Sequence, residues 1–190
     1  MKRLLLAAAL APLSFAAVAH AQTTTISSAT TAPLATSSSG DITITSAGSI
    51  TPPSASGAVA VTLNSNNSVD NEGAITVSET TTGDTTVQGI ASGPFANGTD
   101  RFGILVTGGG PFTGNITVGS TGTITVIGEN SAAIAVDSAL NGSISDAGVI
   151  TVTGGNANTT DVTYGIVSAT GAPISGSVSV SGAVTATLKV

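Results

Sequence analysis

One short phrase returns along the chain: a glycine, a small residue, and then an alternating run of β-branched apolar and hydroxyl residues. The phrase occurs at residues 48–51, 73–77, 122–126, 148–152 and 182–186. Recurrence of a strand-like unit every few tens of residues is typical of stacked architectures, in which each repeat buries its apolar face on the next. The pattern therefore predicts a scaffold rather than an enzyme.

The start of the chain has the pattern of a secretory signal peptide. Lys2 and Arg3 form a basic start, residues 4–18 form an apolar run too short to span a bilayer, and residues 19–21 form a small-x-small cleavage site. We expect a helical signal peptide over 1–21, export through the inner membrane, and a mature chain that begins at Gln22.

The mature chain has few reactive side chains. It keeps two basic residues, Arg101 and Lys189, against ten carboxylates, and it has no Cys, His, Trp or Met. Phosphate binding needs clustered Lys or Arg, so a nucleic-acid partner is not expected. A serine or threonine nucleophile needs a basic partner to activate it, so triad catalysis is not expected either. Without disulfides, stability has to come from backbone ladders and buried aliphatic residues.

Outside the signal peptide the residues alternate with a period of two, and no stretch combines helical periodicity with helix caps. In residues 122–126, for example, Ile124 and Val126 share one face and Thr123 and Thr125 the other. Glycine-containing turns punctuate these runs. The chain is therefore predicted to be all-β with many short strands.

The strands group into threes when one buried aliphatic residue is taken from each. A steady return of about three strands per turn is what a right-handed parallel β-helix, or β-solenoid, needs, with layers about 4.8 Å apart. We expect it over 40–190, after a Thr/Ser-rich lead-in at 22–39 and with an insertion at about 91–101. A β-sandwich or a series of hairpins has the same alternation and stays the alternative. The predicted sets are Ile104, Ile116 and Ile124; Ile134, Ile144 and Ile150; Ile166, Val178 and Val184; Val59, Val69 and Ile75; and Ile42 with Ile50.

Residues 93–112 depart from the repeat and hold three of the four aromatic residues of the mature chain. Followed by 113–118, 120–126 and 129–134, this stretch resembles the repeat-bearing passenger region of bacterial autotransporters, the type V secretion proteins, especially the alphaproteobacterial kind. The resemblance covers roughly residues 40–190 together with the signal peptide. It implies a β-solenoid passenger that crosses the outer membrane unfolded, a route that the lack of cysteine suits.

The resemblance also implies partners and a location. Autotransporters carry a C-terminal outer-membrane barrel of at least eight amphipathic strands, which these residues lack; the barrel is expected in the full-length protein. The passenger is then expected at the cell surface, in the outer membrane or outside the cell, and in the periplasm without a barrel. Expected partners are a host, glycan or sister-cell surface, and the solenoid ends are expected to self-associate.

Carboxylates are the remaining acid–base groups. Asp70 with Glu72, and more loosely Glu79 with Asp84, are the closest pairs in sequence. We interpret them as turn residues, since turns favour Asp for backbone reasons; the alternative is a polysaccharide-active β-helix enzyme. The calcium-binding nonapeptide does not occur. We predict no catalytic, cofactor-binding or metal-binding residue, and a non-enzymatic structural or adhesive function.

Two sets of side chains have a second interpretation. Outward threonines would form ladders that bind ice, a glycan or a sister fibre, although Thr is also a common strand former. Alternation places Phe102 on the face of Ile104 and Tyr164 on that of Ile166, which predicts stacked aromatic rings inside the solenoid; Phe95 and Phe112 follow prolines in loops. The threonine pairs are Thr43 with Thr45, Thr123 with Thr125, and Thr151 with Thr153.

Overall fold

The computed structural model describes residues 22–55, 57–78, 101–128, 130–154 and 162–187. Within them the architecture is all-β, with short parallel strands stacked in register into three main sheets. Along the chain the strands enter the first, the second and the third sheet in turn. This is the arrangement of a β-helix, and it differs from the antiparallel sheets of a sandwich or a hairpin series.

The first sheet contains, in spatial order, β1 (Thr23–Ile26), β4 (Asp41–Ile44), β7 (Val69–Asn71), β11 (Ile116–Val118), β15 (Ile144–Asp146) and β18 (Val178–Val180). The second contains β2 (Ala29–Thr30), β5 (Ser49–Ile50), β8 (Ala74–Ser78), β12 (Thr123–Ile127), β16 (Val149–Thr153) and β19 (Ala183–Thr187). The third contains β3 (Leu34–Ala35), β6 (Val59–Leu63), β9 (Phe102–Val106), β13 (Ser131–Val136) and β17 (Thr163–Ser168). A separate ladder pairs β10 (Phe112–Thr113) with β14 (Leu140–Asn141), and α1 (Thr36–Ser39) is a single helical turn.

We call the strands at one position in the three sheets a layer, so that layer one is β1 to β3 and layer six is β18 with β19. The register confirms the predicted sets of aliphatic residues across the layers. Ile116 pairs with Ile144 and Ile144 with Val178 in the first sheet, for example. The other columns are Ile124, Ile150 and Val184, and Ile104, Ile134 and Ile166.

One member of the predicted sets is wrong. Val61, not Val59, pairs with Ile104, and Val59 pairs with Phe102 instead. Both Ala60 and Val61 belong to the central core, whereas Val59 packs into a smaller cluster. Two consecutive residues of β6 therefore point inward, which a period of two does not anticipate.

The core is a continuous stack of aliphatic side chains enclosed by the three sheets. Ile44, Ile75, Ile116, Ile124 and Ile134 are among its members with no exposed surface. Each such side chain contributes about 1.5–3 kcal/mol through burial. The core therefore grows by a similar set of residues with each layer.

The glycines that open the recurring phrase have a steric reason. A Cβ at any of them would lie 2.1–2.3 Å from a carbonyl oxygen of the preceding layer, which no real Cβ does. At this corner, between the first and the second sheet, successive backbones pass too closely for a side chain. We call these five residues the glycine column: Gly48, Gly73, Gly122, Gly148 and Gly182.

The segment 22–39, expected as a lead-in, supplies the first strand of each sheet. β1, β2 and β3 pair with β4, β5 and β6, so the stack in the described residues already includes the strands of this segment. The helical turn α1 follows β3 and is capped by Gly40, whose N–H donates to the Thr36 carbonyl at 2.9 Å. The predicted signal peptide and, apart from Arg101, the predicted insertion lie outside the described residues.

Candidate functional surface

The outer face of the second sheet carries a ladder of threonines. Thr76, Thr125, Thr151 and Thr185 pair in register over four successive layers. No charged residue occurs in β8, β12, β16 or β19. The structure thus places Thr125 beside Thr151 on a flat, uncharged face of hydroxyl and small side chains, flanked by the partly exposed Ile127 and Val149.

The predicted pair Thr43 and Thr45 lies elsewhere. Thr43 is on the first sheet, between Thr25 and Asp70 in the ladder. Thr45 lies past the end of β4, and its hydroxyl donates to the Ile26 carbonyl at 3.3 Å. The threonine rows therefore belong to two different faces.

Asp70 interrupts a hydroxyl column on the outer face of the first sheet. Its neighbours in the ladder are Thr43 and Thr117. Partial burial raises the pKa of the Asp70 carboxyl, and the negative charge of Glu72 raises it further. Both effects oppose ionisation of Asp70, so the ionised carboxylate lowers the stability of the folded chain.

Glu72 holds together two layers at the corner after β7. The Thr121 hydroxyl lies 2.7 Å from both the Glu72 Oε2 and the Glu72 carbonyl oxygen, and these two acceptors share its single proton. A Cβ at Gly119 would overlap the Glu72 carboxylate, which explains the glycine there. Hydrolytic carboxylate pairs flank a bound bond, whereas Asp70 lies on a flat ladder and Glu72 packs against a turn. The looser pair, Glu79 with Asp84, lies outside the described residues.

Two polar residues point into the core, and the sequence analysis missed both. Asn71 and Asp146 occupy one column of the first sheet and are 0% and 1% exposed. Each Oδ1 accepts from the N–H of the glycine two residues later, Gly73 at 3.2 Å and Gly148 at 3.0 Å. The pattern Asx-x-Gly at the end of a first-sheet strand is the signal that identifies them.

Asn71 and Asp146 differ in their second polar atom. The Asn71 Nδ2 donates to the Thr123 carbonyl of the next layer at 3.1 Å. The Asp146 Oδ2 is buried and has no hydrogen-bond partner among the described residues. The amide thus fits this corner better than the carboxyl group does.

A second polar ladder precedes the first-sheet strands, and the sequence analysis missed it as well. A side-chain oxygen in one layer accepts the backbone N–H of the equivalent residue in the next, at 2.8–3.1 Å. Such bonds satisfy backbone groups at a corner, where the sheet hydrogen bonds are interrupted. The acceptors are Asp41, Ser68, Asn115 and Ser143, and the last donor is Ser177.

The aromatic residues do not stack inside the core as alternation predicted. Phe102 belongs to an outer cluster with Leu105, Ala132 and Ala135, against which Tyr164 packs, whereas Ile104 belongs to the central core. Ala132 separates the two rings, because it pairs with Phe102 on one side and with Tyr164 on the other. In the third sheet two consecutive positions, 103 and 104, face the core, so Phe102 lies on the opposite face from Ile104.

Phe112 and Arg101 also serve packing. Phe112 packs against the core from β10, and Phe95 lies outside the described residues. Arg101 is 1% exposed, and its side chain fills the space that a Cβ at Gly128 would occupy. Burial raises the pKa of the Asp137 carboxyl, an effect that a hydrogen bond from Thr107 partly offsets.

The described part of the chain has neither a cluster of metal-ligating side chains nor a membrane-spanning helix. Residues 22–55, 57–78, 101–128, 130–154 and 162–187 contain no group of three or more Asp, Glu, His or Cys side chains placed to hold a metal ion. Over the same ranges, no helix has the length and apolar character to cross a membrane. Comparison with protein-family models, curated proteins and solved structures gave no match for the chain.

Proposed function

We propose that this chain is a passenger segment of an autotransporter and that it folds as a right-handed parallel β-helix with about three strands per turn. The observation that carries the proposal is the register, which keeps equivalent residues paired over successive layers of three sheets. Connections between parallel strands of one sheet are right-handed in nearly all proteins, which supports the handedness. Export relies on the signal peptide predicted at residues 1–21.

In this proposal the segment is non-enzymatic and acts as a stalk or an adhesive surface. Its faces support that function: the second sheet exposes an uncharged hydroxyl ladder, and the first exposes hydroxyl groups with two carboxylates, those of Asp41 and Asp70. Hydroxyl-rich flat faces offer hydrogen bonds without the desolvation cost of charges. The partner surface is a host, a glycan layer or a sister cell, and an outer-membrane barrel belongs to the full-length protein.

A reversible disulfide tests secretion in an unfolded state. Thr125 and Thr151 are paired neighbours on the outer face, about 4.8 Å apart across the ladder, which is within the range that a disulfide spans. The precursor is fused to an autotransporter barrel and expressed in a Gram-negative host, and surface exposure is measured by added protease.

The parent segment and the single variant Thr125→Cys are expected to reach the surface. The double variant Thr125→Cys/Thr151→Cys is expected to be retained when oxidised and displayed when grown with a reducing agent. Equal display of the oxidised double variant, or failure of the parent to be exported, would overturn the proposal.

The non-enzymatic part has its own test against the polysaccharide-active alternative. Purified parent and Asp70→Ala/Glu72→Ala proteins are incubated with acidic and neutral polysaccharides, and new reducing ends are measured. No release by either protein is expected. Release by the parent that disappears in the variant would establish the enzyme.

One observation favours a second candidate, a matrix or ice-binding protein. Thr76, Thr125, Thr151 and Thr185 repeat at the regular spacing of a sheet, about 4.8 Å per layer. Thermal hysteresis or fibre formation that is lost in Thr123→Lys/Thr125→Lys would support this candidate. Absence of both activities in the parent would dismiss it.

A further inference from the structure

Layer one has a serine at the position that the glycine column occupies in the later layers. Ser28 occupies its position in layer one, since its carbonyl accepts from Ser49 as the Gly48 carbonyl accepts from Ala74. A glycine is needed there only when a layer lies beneath, because the Cβ would meet that layer's carbonyl oxygen. A layer stacked beneath Ser28 in the same register would therefore clash with the Ser28 Cβ.

Two of the core columns change in the same layer, whereas Ile26 and Leu34 keep aliphatic side chains in the columns of Ile44 and Val61. Thr24 occupies the column of Ile42, and Thr30 occupies the column of Ile50. Both hydroxyls are hydrogen-bonded: Thr24 donates to the Ser39 carbonyl at 2.7 Å, and Thr30 accepts from the Ala32 N–H at 3.1 Å. Threonine at these two inward positions makes layer one more polar than the layer that follows it.

Layer six has the opposite character. Val178, Val180 and Val184 hold core positions and are 50%, 49% and 40% exposed. Gly182 keeps the glycine column. A layer that continued the stack in register would place its own column residue over the Gly182 carbonyl, and only glycine fits at that distance.

We propose that layer one is a terminating layer, which prevents copies of this chain from joining head to tail. In such a contact the Ser28 Cβ of one copy would overlap the Gly182 carbonyl of the other, and Thr24 and Thr30 would lie on Val178 and Val184. This proposal replaces the self-association of the ends that the sequence predicted. The contact is opposed sterically, and Thr24 and Thr30 offer less apolar surface for burial than the isoleucines of layer two do. The proposal rests on the register of the stack and not on the proposed function.

The test transfers the residues of layer two into layer one. The variant Thr24→Ile/Ser28→Gly/Thr30→Ile restores the glycine column and both aliphatic columns, and a matched control carries Ser28→Ala in place of Ser28→Gly and so keeps the Cβ. Chains from Gln22 onward are compared by sedimentation velocity over a range of concentrations, and filaments are sought by negative-stain microscopy.

We expect the glycine variant to associate end to end with an affinity at least about tenfold above that of the parent and of the alanine control. Adding Val184→Lys to it is expected to abolish association. End-to-end assembly of the parent, equal assembly of the alanine control, or a glycine variant as monomeric as the parent would each overturn the proposal. Circular dichroism verifies folding, and Ser28→Gly alone, which removes only a hydroxymethyl group, replaces any variant that does not fold.

Discussion

The second and third sheets stack in the same way but use their two faces differently. In β12 the residues alternate, so that Ile124 and Val126 are buried while Ile127 on the other face is 39% exposed. In β9 and β13 every residue is buried, and the two faces contribute to two separate clusters. The second sheet has one structural face and one free face, whereas the third is structural on both.

The difference has a local cause in the third sheet. Ala60, Gly103, Ala133 and Gly165 each precede a core residue, and the two alanines belong to the core themselves. A Cβ at Gly103 would lie 2.5 Å from the Ile124 Cγ2, so position 103 also points inward. Two consecutive inward residues turn the strand, and the small residue at the first position makes room for the facing sheet.

The comparison predicts its largest effect on stability for truncations of side chains on the outer faces of the two sheets. Leu105→Ala removes a side chain that is 6% exposed in the outer cluster, and we expect it to lower the free energy of unfolding by about 2–5 kcal/mol. Ile127→Ala, the matched change on the outward side of the second sheet, is expected to cost less than about 0.5 kcal/mol. Urea unfolding measures both, and similar costs for the two variants would contradict the distinction between the sheets.

The two consecutive inward positions of β9, 103 and 104, predict a smaller loss of stability, which has a steric cause. Gly103→Ala brings a methyl group within 2.6 Å of both the Ile124 side chain and the Ala133 carbonyl, and we expect a loss of about 1–3 kcal/mol. Gly109→Ala is the control, because a Cβ there meets nothing within 4 Å. If Gly103→Ala is as stable as Gly109→Ala, position 103 does not point inward.

These features mark how far the sequence predicts the fold. The recurring phrase predicts the parallel stack and the columns through Ile124 and Ile116, because strand periodicity and glycine corners are local properties. Alternation fails in the third sheet, where position 103 faces the Ile124 side chain, because such a contact between sheets is not encoded in the local period of two. Layer one was not predicted because it lacks the recurring phrase. Ser28 occupies the glycine column there, and threonines occupy columns that hold isoleucines in layer two.

The faces were less predictable than the layers. Alternation alone predicts that the threonines point outward. Which threonines share a ladder depends on the number of residues in the corners between strands, and the corners place Thr43 on the first sheet and Thr125 on the second. The inward Asp146 was missed because a carboxylate is not expected in an aliphatic column. Its position is explained by the corner, where a side-chain oxygen two residues before a glycine satisfies a backbone N–H.

The first sheet extends the comparison, since it alternates like the second but places polar groups inside. Asp146→Asn keeps the bond to Gly148 and offers Nδ2 to the Ala183 carbonyl, which occupies the ladder position of Thr123, the partner of Asn71. Because the unpaired Oδ2 is removed, we expect a gain of about 1 kcal/mol in unfolding free energy at neutral pH. Asn71→Asp is the reverse control and is expected to destabilise; a loss on Asp146→Asn would contradict this account.

The outer face of the first sheet predicts the smallest effect, and it depends on pH. The pKa of Asp70 is raised from 3.8 on folding, first by burial and then by Glu72. The folded chain therefore holds the proton more tightly than the unfolded chain, so ionised Asp70 opposes folding above the raised pKa and this cost disappears as the pH falls towards 3.8. Asp70→Asn is expected to be slightly more stable than the parent at pH 7 and to lose that advantage below pH 4.

Urea unfolding as a function of pH measures this difference in stability. The control Glu72→Gln, which removes the smaller of the two causes, is expected to reduce the pH dependence without abolishing it. A variant Asp70→Asn that is less stable than the parent at pH 7 would show that the carboxylate supports the ladder, in which case the first sheet uses its outer face structurally, as the third sheet does.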